Sequence, residues 1–371
     1  MLPSCGVVLL GVAGFWALRL AWADRLSRSA ELADRERAVR LVPQSASFRE
    51  RLADKRLESG ADPLPDLERA AELDPWNAGR CMRLATFAEM AGNLPLAEHS
   101  LLLAARLSRL YQPKYLLAQY YFRRGNADLF FRWSRAAFTS AYGDVTPLLD
   151  LCWRLRPNTA WLLESAIPEQ PAVRRQFLEY LTARGDLEPA GNVANERLAH
   201  AADADVVPLL DYCDAALAAK RRDSCLAVWN ALCRKRLLPH RELDPASGRV
   251  VTEDHFDSPP TGRGFDWRLQ DLAGVNIAAF SKELRVHFSG RQPEECILAW
   301  EYVPVARGTR YQVTVEAEPV DALQIEGIEA ALEGSAETGL LKLQLRYRRP
   351  SGFPRLEGTV AIRGVRVGVA P

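Results

Sequence analysis

The feature that most restricts how this chain can fold is a helical pattern that repeats after 33 residues. The first copy begins with a Leu-Ala step on one predicted helix, Leu84-Ala85, which is followed by a Gly-Asn turn, Gly92-Asn93. Two small residues, Ala97 and Ala104, lie on the next predicted helix. In the second copy the corresponding residues are Leu117-Ala118, Gly125-Asn126 and Ala137, with Phe130 in place of the first small residue. Small residues at this spacing let paired helices approach closely, so each pair buries its apolar face against its neighbours. Residues 61–236 are therefore predicted to form an α-solenoid of four or five helix pairs.

This order of residues resembles the tetratricopeptide repeat family, in which a Leu-Gly step leads to a Gly-Asn or Gly-Asp turn. Weaker copies occur at Gly185-Asp186 with Ala190 and at Arg222-Asp223 with Ala227. The resemblance implies a solenoid that binds a protein partner. It assigns helix packing to five residues: Gly92, Ala97, Ala104, Gly125 and Ala137. The basic cluster Lys220-Arg221-Arg222 is predicted to be a solvated turn.

The chain changes character after residue 236. A linker, residues 237–248, precedes short alternating runs rich in Val, Tyr, Trp, Phe and Leu, separated by Gly, Pro, Asp and Ser. We predict strands near 249–252, 265–269, 284–288, 296–304, 310–318, 339–348 and 358–368. Seven or eight such strands describe a β-sandwich over residues 249–371, and we expect residues 245–371 to fold alone. The predicted fold class is multidomain: an all-α helical-repeat solenoid, an all-β jelly-roll sandwich and an N-terminal transmembrane helix.

Segments of this C-terminal region resemble the galactose-binding-like jelly roll of carbohydrate-binding modules. They are Thr252–Asp257, Gly264–Arg268, Phe288–Gly290, Tyr311–Val315 and Gly358–Val367. Arg363 stands where the family usually has Asp, so no calcium is inferred. The combination of a tetratricopeptide-like region with a following Gly-Phe-Asp-Trp motif resembles that of bacterial membrane-anchored proteins encoded beside exopolysaccharide or O-antigen export genes. The resemblance implies a part in polysaccharide assembly or export.

Sugar binding on a sandwich needs exposed aromatic rings that stack on a pyranose, with charged groups beside them. The candidate rings are Trp267, Trp300, Tyr302, Tyr347 and Phe353. Phe353 lies in a predicted loop, where Arg349 and Arg355 flank it and could pair with uronate carboxylates. Trp300 and Tyr302 have the same strand parity, so they point to one face together. If that face is the inner one, both are core residues.

Residues 1–18 contain no charged side chain, and with Arg19 snorkelling the apolar stretch reaches Ala23, just long enough to span a bilayer. Residues 1–23 are predicted to be a membrane anchor, with a cleaved signal peptide as the alternative. The arginines after the span favour a cytoplasmic bulk, whereas the jelly-roll resemblance favours the extracytoplasmic side, which we expect. Residues 24–60 are predicted to be a charged helical stalk.

The balance of charges argues against a nucleic-acid-binding protein. The 48 basic and 47 acidic side chains leave a net charge of +1, so no nucleic-acid partner is expected. The seven cysteines lack a CxxC pair and are interpreted as buried thiols. A cluster of His255 with Glu253, Asp254 and Asp257 could ligate a metal, although such acidic runs are usually solvated.

No nucleophile elbow, zinc-protease motif or phosphate loop occurs in the sequence. We therefore predict no catalytic residue, no cofactor and no metal. The predicted function is a non-enzymatic, membrane-anchored scaffold with a protein partner and a sandwich that binds polysaccharide or protein. Two alternatives remain: a polysaccharide-modifying enzyme with the sandwich as an accessory module, and a purely structural protein without glycan binding.

Overall fold

The computed structural model describes residues 2–252, 254–280, 282–322 and 325–370, without the side chains of residues 2–10. Its helices are α1 (Leu2–Ser27), α2 (Leu32–Leu41), α3 (Ala46–Glu58), α4 (Leu64–Leu73), α5 (Ala78–Met90), α6 (Leu94–Leu107), α7 (Tyr111–Arg123), α8 (Ala127–Thr139), α9 (Thr146–Leu155), α10 (Thr159–Trp161), α11 (Pro171–Ala183), α12 (Leu187–Ala199), α13 (Asp203–Ala218) and α14 (Arg222–Arg234). The chain forms two compact units, Met1–Pro157 with Trp161–Pro168, and Asn158–Ala160 with Glu169–Pro371.

Five helical hairpins of the described chain turn at a residue in the left-handed backbone region. Four of these residues are glycines, Gly60, Gly92, Gly125 and Gly185, with φ of 76°, 78°, 67° and 76°. Glycine takes this conformation without a Cβ penalty. After Gly92, the amide of Asn93 donates to the carbonyl oxygen of Ala88 at 2.8 Å, and the Asn93 side chain accepts from the amide of Leu96. The Gly-Asn dipeptide therefore ends α5 and caps α6.

The hairpin of α13 and α14 turns at a lysine instead of a glycine. Lys220 has φ of 59°, and the amide of Arg221 donates to the carbonyl oxygen of Ala216 at 2.7 Å. Cys225, five residues after Lys220, is fully buried, whereas Ala227 is exposed. The predicted turn at Arg222-Asp223 with Ala227 was therefore wrong by two residues.

The small residues of the predicted repeats lie inside the helical array. Ala97, Ala104 and Ala137 are fully buried, on helices that pack against α5 and α7. Phe130 is also fully buried, and its ring lies 4.9 Å from that of Phe131, centroid to centroid. The degenerate second copy thus fills the small-residue position with an aromatic core. The repeated hairpins confirm a tetratricopeptide-like helical-repeat architecture.

The segment predicted as a stalk is folded into the array. Helices α2 and α3 pack on each other and on α1. Ala23 of α1 shares an apolar cluster with Val39, Phe48 and Leu52. Residues 24–60 therefore form helices packed together with α1 instead of a free-standing stalk.

Within the part of the chain that the structure describes, no helix combines the length and the apolar character needed to cross a membrane. This finding does not support the transmembrane anchor predicted at residues 1–23. Residues 1–10 of that segment have side chains outside the described part. In α1, the described side chains of Phe15, Trp16, Leu18 and Trp22 are each more than half exposed.

The C-terminal region is a sandwich of two antiparallel sheets. Its strands are β1 (Arg268–Leu269), β2 (Val275–Phe280), β3 (Glu283–Ser289), β4 (Glu295–Pro304), β5 (Tyr311–Pro319), β6 (Ile328–Glu333), β7 (Leu340–Arg348) and β8 (Glu357–Val369). The sheet orders are β1-β4-β7-β6 and β2-β3-β8-β5, and one apolar core joins them. An all-β sandwich is confirmed, whereas the jelly-roll family identity stays a prediction.

The strands of the structure differ from the predicted strands at three places. Strands β2 and β6 were not predicted, and one predicted strand is not formed. The predicted strand at 249–252 has only an isolated bridge between Asp244 and Arg249 in the described residues. The other six predicted strands overlap β1, β3, β4, β5, β7 and β8.

Candidate functional site

A groove lies between the first helices of two consecutive hairpins, α5 and α7. Its volume is about 450 Å³. It is lined by Ala85, Thr86, Glu89, Met90, Leu101, Leu116, Gln119 and Arg123. Ala85 and Leu101 are buried beneath it, whereas Met90 is 75% exposed. We call it the α5–α7 groove; it presents an apolar floor to solvent.

The charged groups of the α5–α7 groove neutralise each other. Arg123 donates from Nε and a terminal nitrogen to the two carboxylate oxygens of Glu89, at 2.7 and 2.6 Å. This bidentate pair raises the pKa of Arg123. Glu89 and Arg123 therefore contribute no unpaired charge, and the groove offers a partner mainly apolar contact.

In the predicted sugar-binding loop, Arg349 and Arg355 converge on one carboxylate, and Phe353 lies between them in the sequence. Phe353 is 45% exposed. Arg349 and Arg355 both reach Glu294, with nitrogen–oxygen distances of 3.3 and 3.6 Å. A uronate that paired with these guanidinium groups would have to displace Glu294.

Trp300 and Tyr302 lie on the outer face of their sheet, because Glu301 and Val303 between and beside them point into the sandwich and are fully buried. Their rings meet edge to face at 5.2 Å. The Lys342 ammonium lies 4.0 Å from the Trp300 ring centroid. The Arg268 guanidinium carbon lies 4.6 Å from the Trp300 centroid and 5.4 Å from that of Tyr302. The pair is thus half-exposed and beside two cations, and it is not part of the core.

Two of the candidate rings are core residues. Trp267 and Tyr347 are fully buried and belong to the apolar cluster between the sheets. They cannot stack on a sugar without opening the sandwich.

A small cleft lies between the C-terminal end of α13 and the β6–β7 hairpin. Its volume is about 180 Å³. The lining residues are Leu217, Ala218, Lys220, Tyr302, Glu333, Gly334, Ser335, Thr338, Leu340, Leu341 and Lys342. We call it the Tyr302 cleft. The last helical hairpin and the sandwich each supply one wall, a combination that sequence reasoning missed.

Arg222 fixes the two walls of the Tyr302 cleft to each other. It lies at the start of α14 and donates to the carbonyl oxygens of Val305 at 2.7 Å and Gly339 at 3.2 Å. Its guanidinium also pairs with Asp223 at 2.6 Å. The predicted solvated turn was therefore wrong for Arg222, which joins the helices to the sandwich.

The Gly-Phe-Asp-Trp segment lies against α13 and α14. Arg263 pairs with Asp211 and Asp214, and the Gly264 amide donates to Asp214 Oδ1 at 2.7 Å. Arg268 reaches the same Asp214 oxygen at 2.7 Å. We call these contacts the helix–sandwich seam. The motif that suggested a sugar-binding family has a packing role here.

A buried histidine and a buried aspartate meet beneath this seam. His240 Nε2 is 3.6 Å from Asp266 Oδ2, and both side chains are almost fully buried. The His240 ring stacks on Trp229 at 5.5 Å, and the Asp266 Oδ1 accepts from the Trp267 amide at 2.8 Å. The pair ties the linker, the last helix and the sandwich into one core.

The His255 cluster and the cysteines were considered as reactive groups, and the structure describes most of them. Among the described residues no group of three or more His, Cys, Asp or Glu side chains could hold a metal ion. Glu253, one member of the His255 cluster, lies outside the described residues. Six cysteines of the described part are free and buried, and burial raises the pKa of Cys152 and Cys233 to about 12. Such thiols are poor nucleophiles.

No family model matches this sequence, and no curated protein matches it. Among solved structures, the chain is similar to part of a TPR repeat-containing protein from Cytophaga hutchinsonii, with 12% identity, a TM-score of 0.33, and coverage of 58% of this chain and 87% of that one. YrrB, a TPR protein with an unusual peptide-binding site, gives 15% identity, a TM-score of 0.25, and coverage of 56% and 94%. The APC/C hetero-tetramer Cut9-Hcn1 gives 14% identity and a TM-score of 0.31 over 58% of this chain, which spans only 42% of that structure's chain.

Proposed function

We propose that this protein is a non-enzymatic scaffold whose helical repeats bind a protein partner in the α5–α7 groove. The observation that carries the proposal is an open apolar floor, with Met90 75% exposed above the buried Ala85 and Leu101. Exposed apolar surface of this kind marks interaction sites. Since Glu89 and Arg123 already pair, the partner would contribute an apolar segment.

A photo-cross-linking residue in place of Met90 tests this proposal in the native host. We expect one discrete adduct, which Leu116→Asp in the same chain removes by placing a charge in the floor. The matched control carries the cross-linker at Leu110, which is 60% exposed and does not line the groove. Equal adducts from both positions, or an adduct that survives Leu116→Asp, would contradict a groove-bound partner.

We also propose that α1 attaches the chain to the cell membrane and that the bulk of the chain is extracytoplasmic. The support is the run of exposed Phe15, Trp16, Leu18 and Trp22, a composition suited to a lipid interface. Retention in the membrane fraction after carbonate washing is the expected result. Protease accessibility in spheroplasts reports the side. Recovery of a soluble chain that begins near Asp24 would replace the anchor with a cleaved signal peptide.

A second proposed role is that the sandwich binds a polysaccharide of a cell-surface assembly or export system. The link to such a system rests on the sequence resemblance. The observation that favours glycan binding is the outward-facing pair Trp300 and Tyr302 beside the Lys342 ammonium. Aromatic faces next to charged groups are the elements of a sugar site.

A further inference from the structure

We propose that the Tyr302 cleft binds a single acidic sugar residue, a uronate, and that the last helical hairpin supplies part of this site. The inference rests on the glycan-binding role proposed for the sandwich and adds the location and the charge of the ligand. It also moves the ligand from the Phe353 loop, where Glu294 already occupies Arg349 and Arg355.

The charges of the cleft favour an anion. Lys220 and Lys342 both line it, and within the described part of the chain neither lysine forms an ion pair with a carboxylate. Glu333 also lines the cleft, but its two carboxylate oxygens accept from Gln344 and Arg346. The Lys342 ammonium contacts the Trp300 ring and Lys220 is exposed, so both lysines keep a positive charge that no carboxylate pairs in the described residues, whereas the acidic group is already engaged.

The remaining lining matches a pyranose ring. Tyr302 supplies an aromatic surface, and Leu217 and Leu341 supply an apolar floor for the C–H face of a sugar. Ser335 and Thr338 also line the cleft, where their hydroxyl groups hydrogen-bond the backbone of the β6–β7 turn. A volume of about 180 Å³ is smaller than that of a drug-sized pocket, so the cleft suits one sugar unit and not a long oligosaccharide.

Hydrogen bonds between the last helical hairpin and the sandwich hold the walls of the cleft in place. Arg222 holds the start of α14 to the carbonyl groups of Val305, directly after β4, and Gly339, directly before β7. A Cβ on Gly339 would collide with the Arg222 guanidinium, so the glycine permits this approach. A fixed site loses less conformational freedom on binding than a mobile one.

Isothermal titration of the detergent-solubilised full-length chain tests the proposal, with digalacturonate and the neutral galactobiose as probes. The informative variants are Lys220→Asn and Lys342→Gln. The matched control is Lys282→Asn, because Lys282 also has a positive φ, of 70°, but is 76% exposed in a turn outside the cleft. Asparagine tolerates this backbone conformation, so Lys220→Asn and Lys282→Asn remove the charge without new strain.

We expect digalacturonate to bind in the micromolar to millimolar range, to weaken as salt increases, and to bind better than galactobiose. Lys220→Asn and Lys342→Gln should each weaken it about tenfold or more, whereas Lys282→Asn should not. Equal binding of the two probes, or digalacturonate binding that survives both cleft substitutions, would overturn this inference and leave glycan binding elsewhere on the sandwich. No binding of either probe at millimolar concentration would overturn the glycan role itself.

Discussion

The backbone of Gly264 lies directly against the indole ring of Trp229. A Cβ on Gly264 would come within 2.5 Å of Cζ3 and 2.6 Å of Cε3, and Gly264 also has a positive φ of 56°. The next residue, Phe265, meets the Trp229 ring edge to face at 5.9 Å. This contact joins the first loop of the sandwich to the last helix of the repeat array.

Gly264→Ala should therefore destabilise the protein more than an ordinary glycine substitution. Overpacking against the buried Trp229 costs about 1–3 kcal/mol, in addition to about 1–2 kcal/mol for a Cβ in the left-handed region. Gly262→Ala is the matched control, because Gly262 has φ of 73° but nothing within 4 Å of its added Cβ. Urea denaturation measures both variants, and equal losses would show that Trp229 yields to the new methyl group.

Asp266 gives the helix–sandwich seam a dependence on pH. Burial by itself would raise the pKa of Asp266, but the adjacent His240 ring and the donors of Thr261 outweigh it, so the pKa lies below the usual 3.8. A carboxyl group with a lowered pKa in the folded state stabilises the fold above its unfolded pKa, and that contribution is lost as the pH falls through the folded pKa.

Asp266→Asn should cost about 2–3 kcal/mol at neutral pH, since the Thr261 amide and hydroxyl and the Trp267 amide lose a charged acceptor. The difference in unfolding free energy between the unsubstituted protein and the Asp266→Asn variant should shrink as the pH falls below about 4, because the carboxyl group is then protonated in the folded state as well. Denaturation of both proteins at several pH values checks this. A difference that is the same at pH 3 and pH 7 would contradict the assignment.

The repeat architecture could be predicted because a local signal determines each turn. Gly92 and Gly125 take a backbone conformation that few other residues adopt, and the asparagine after each one caps the following helix. The α13–α14 turn escaped this reasoning because Lys220 adopts the same conformation without a glycine. No glycine marks this turn in the sequence, although its backbone conformation is the same as at the glycine turns.

The strands and contacts that were missed depend on partners distant in sequence. β6 reads Ile-Glu-Ala-Ala-Leu-Glu, which suits a helix, and it is a strand because it pairs with β7. Arg222 looked like a solvated turn residue, yet its acceptors Val305 and Gly339 lie 83 and 117 residues further along the chain. The Tyr302 cleft combines elements separated in the same way, so no local pattern could indicate it.

Ala97 provides a test of the helical packing. It is fully buried on α6, which packs against α5, so Ala97→Leu should overpack that contact and cost about 1–3 kcal/mol. Ala127→Leu is the control, because Ala127 is exposed at the start of α8 and should change stability by less than about 0.5 kcal/mol. A fully tolerated Ala97→Trp, judged by thermal melting, would show that this contact is not tightly packed.

The helix–sandwich seam also changes the expectation for the isolated sandwich. Residues 245–371 were predicted to fold alone. Phe265 is fully buried, however, and one of its neighbours is Trp229 of α14, which that fragment lacks. Exposing this side chain removes about 2 kcal/mol of apolar burial. A fragment of residues 169–371, which keeps the last four helices, should therefore unfold in one transition and melt roughly 5–10 °C above residues 245–371.

Phe265→Ala distinguishes the seam from a general effect of fragment length. In the 169–371 fragment the substitution should lower the melting temperature, because it empties the space against Trp229. In the 245–371 fragment it should do much less, since the ring has already lost that neighbour, and the two effects should be non-additive. Calorimetry of the four proteins gives the coupling. Equal losses in both fragments would mean that Phe265 packs mainly within the sandwich and that the last helices contribute little to its stability.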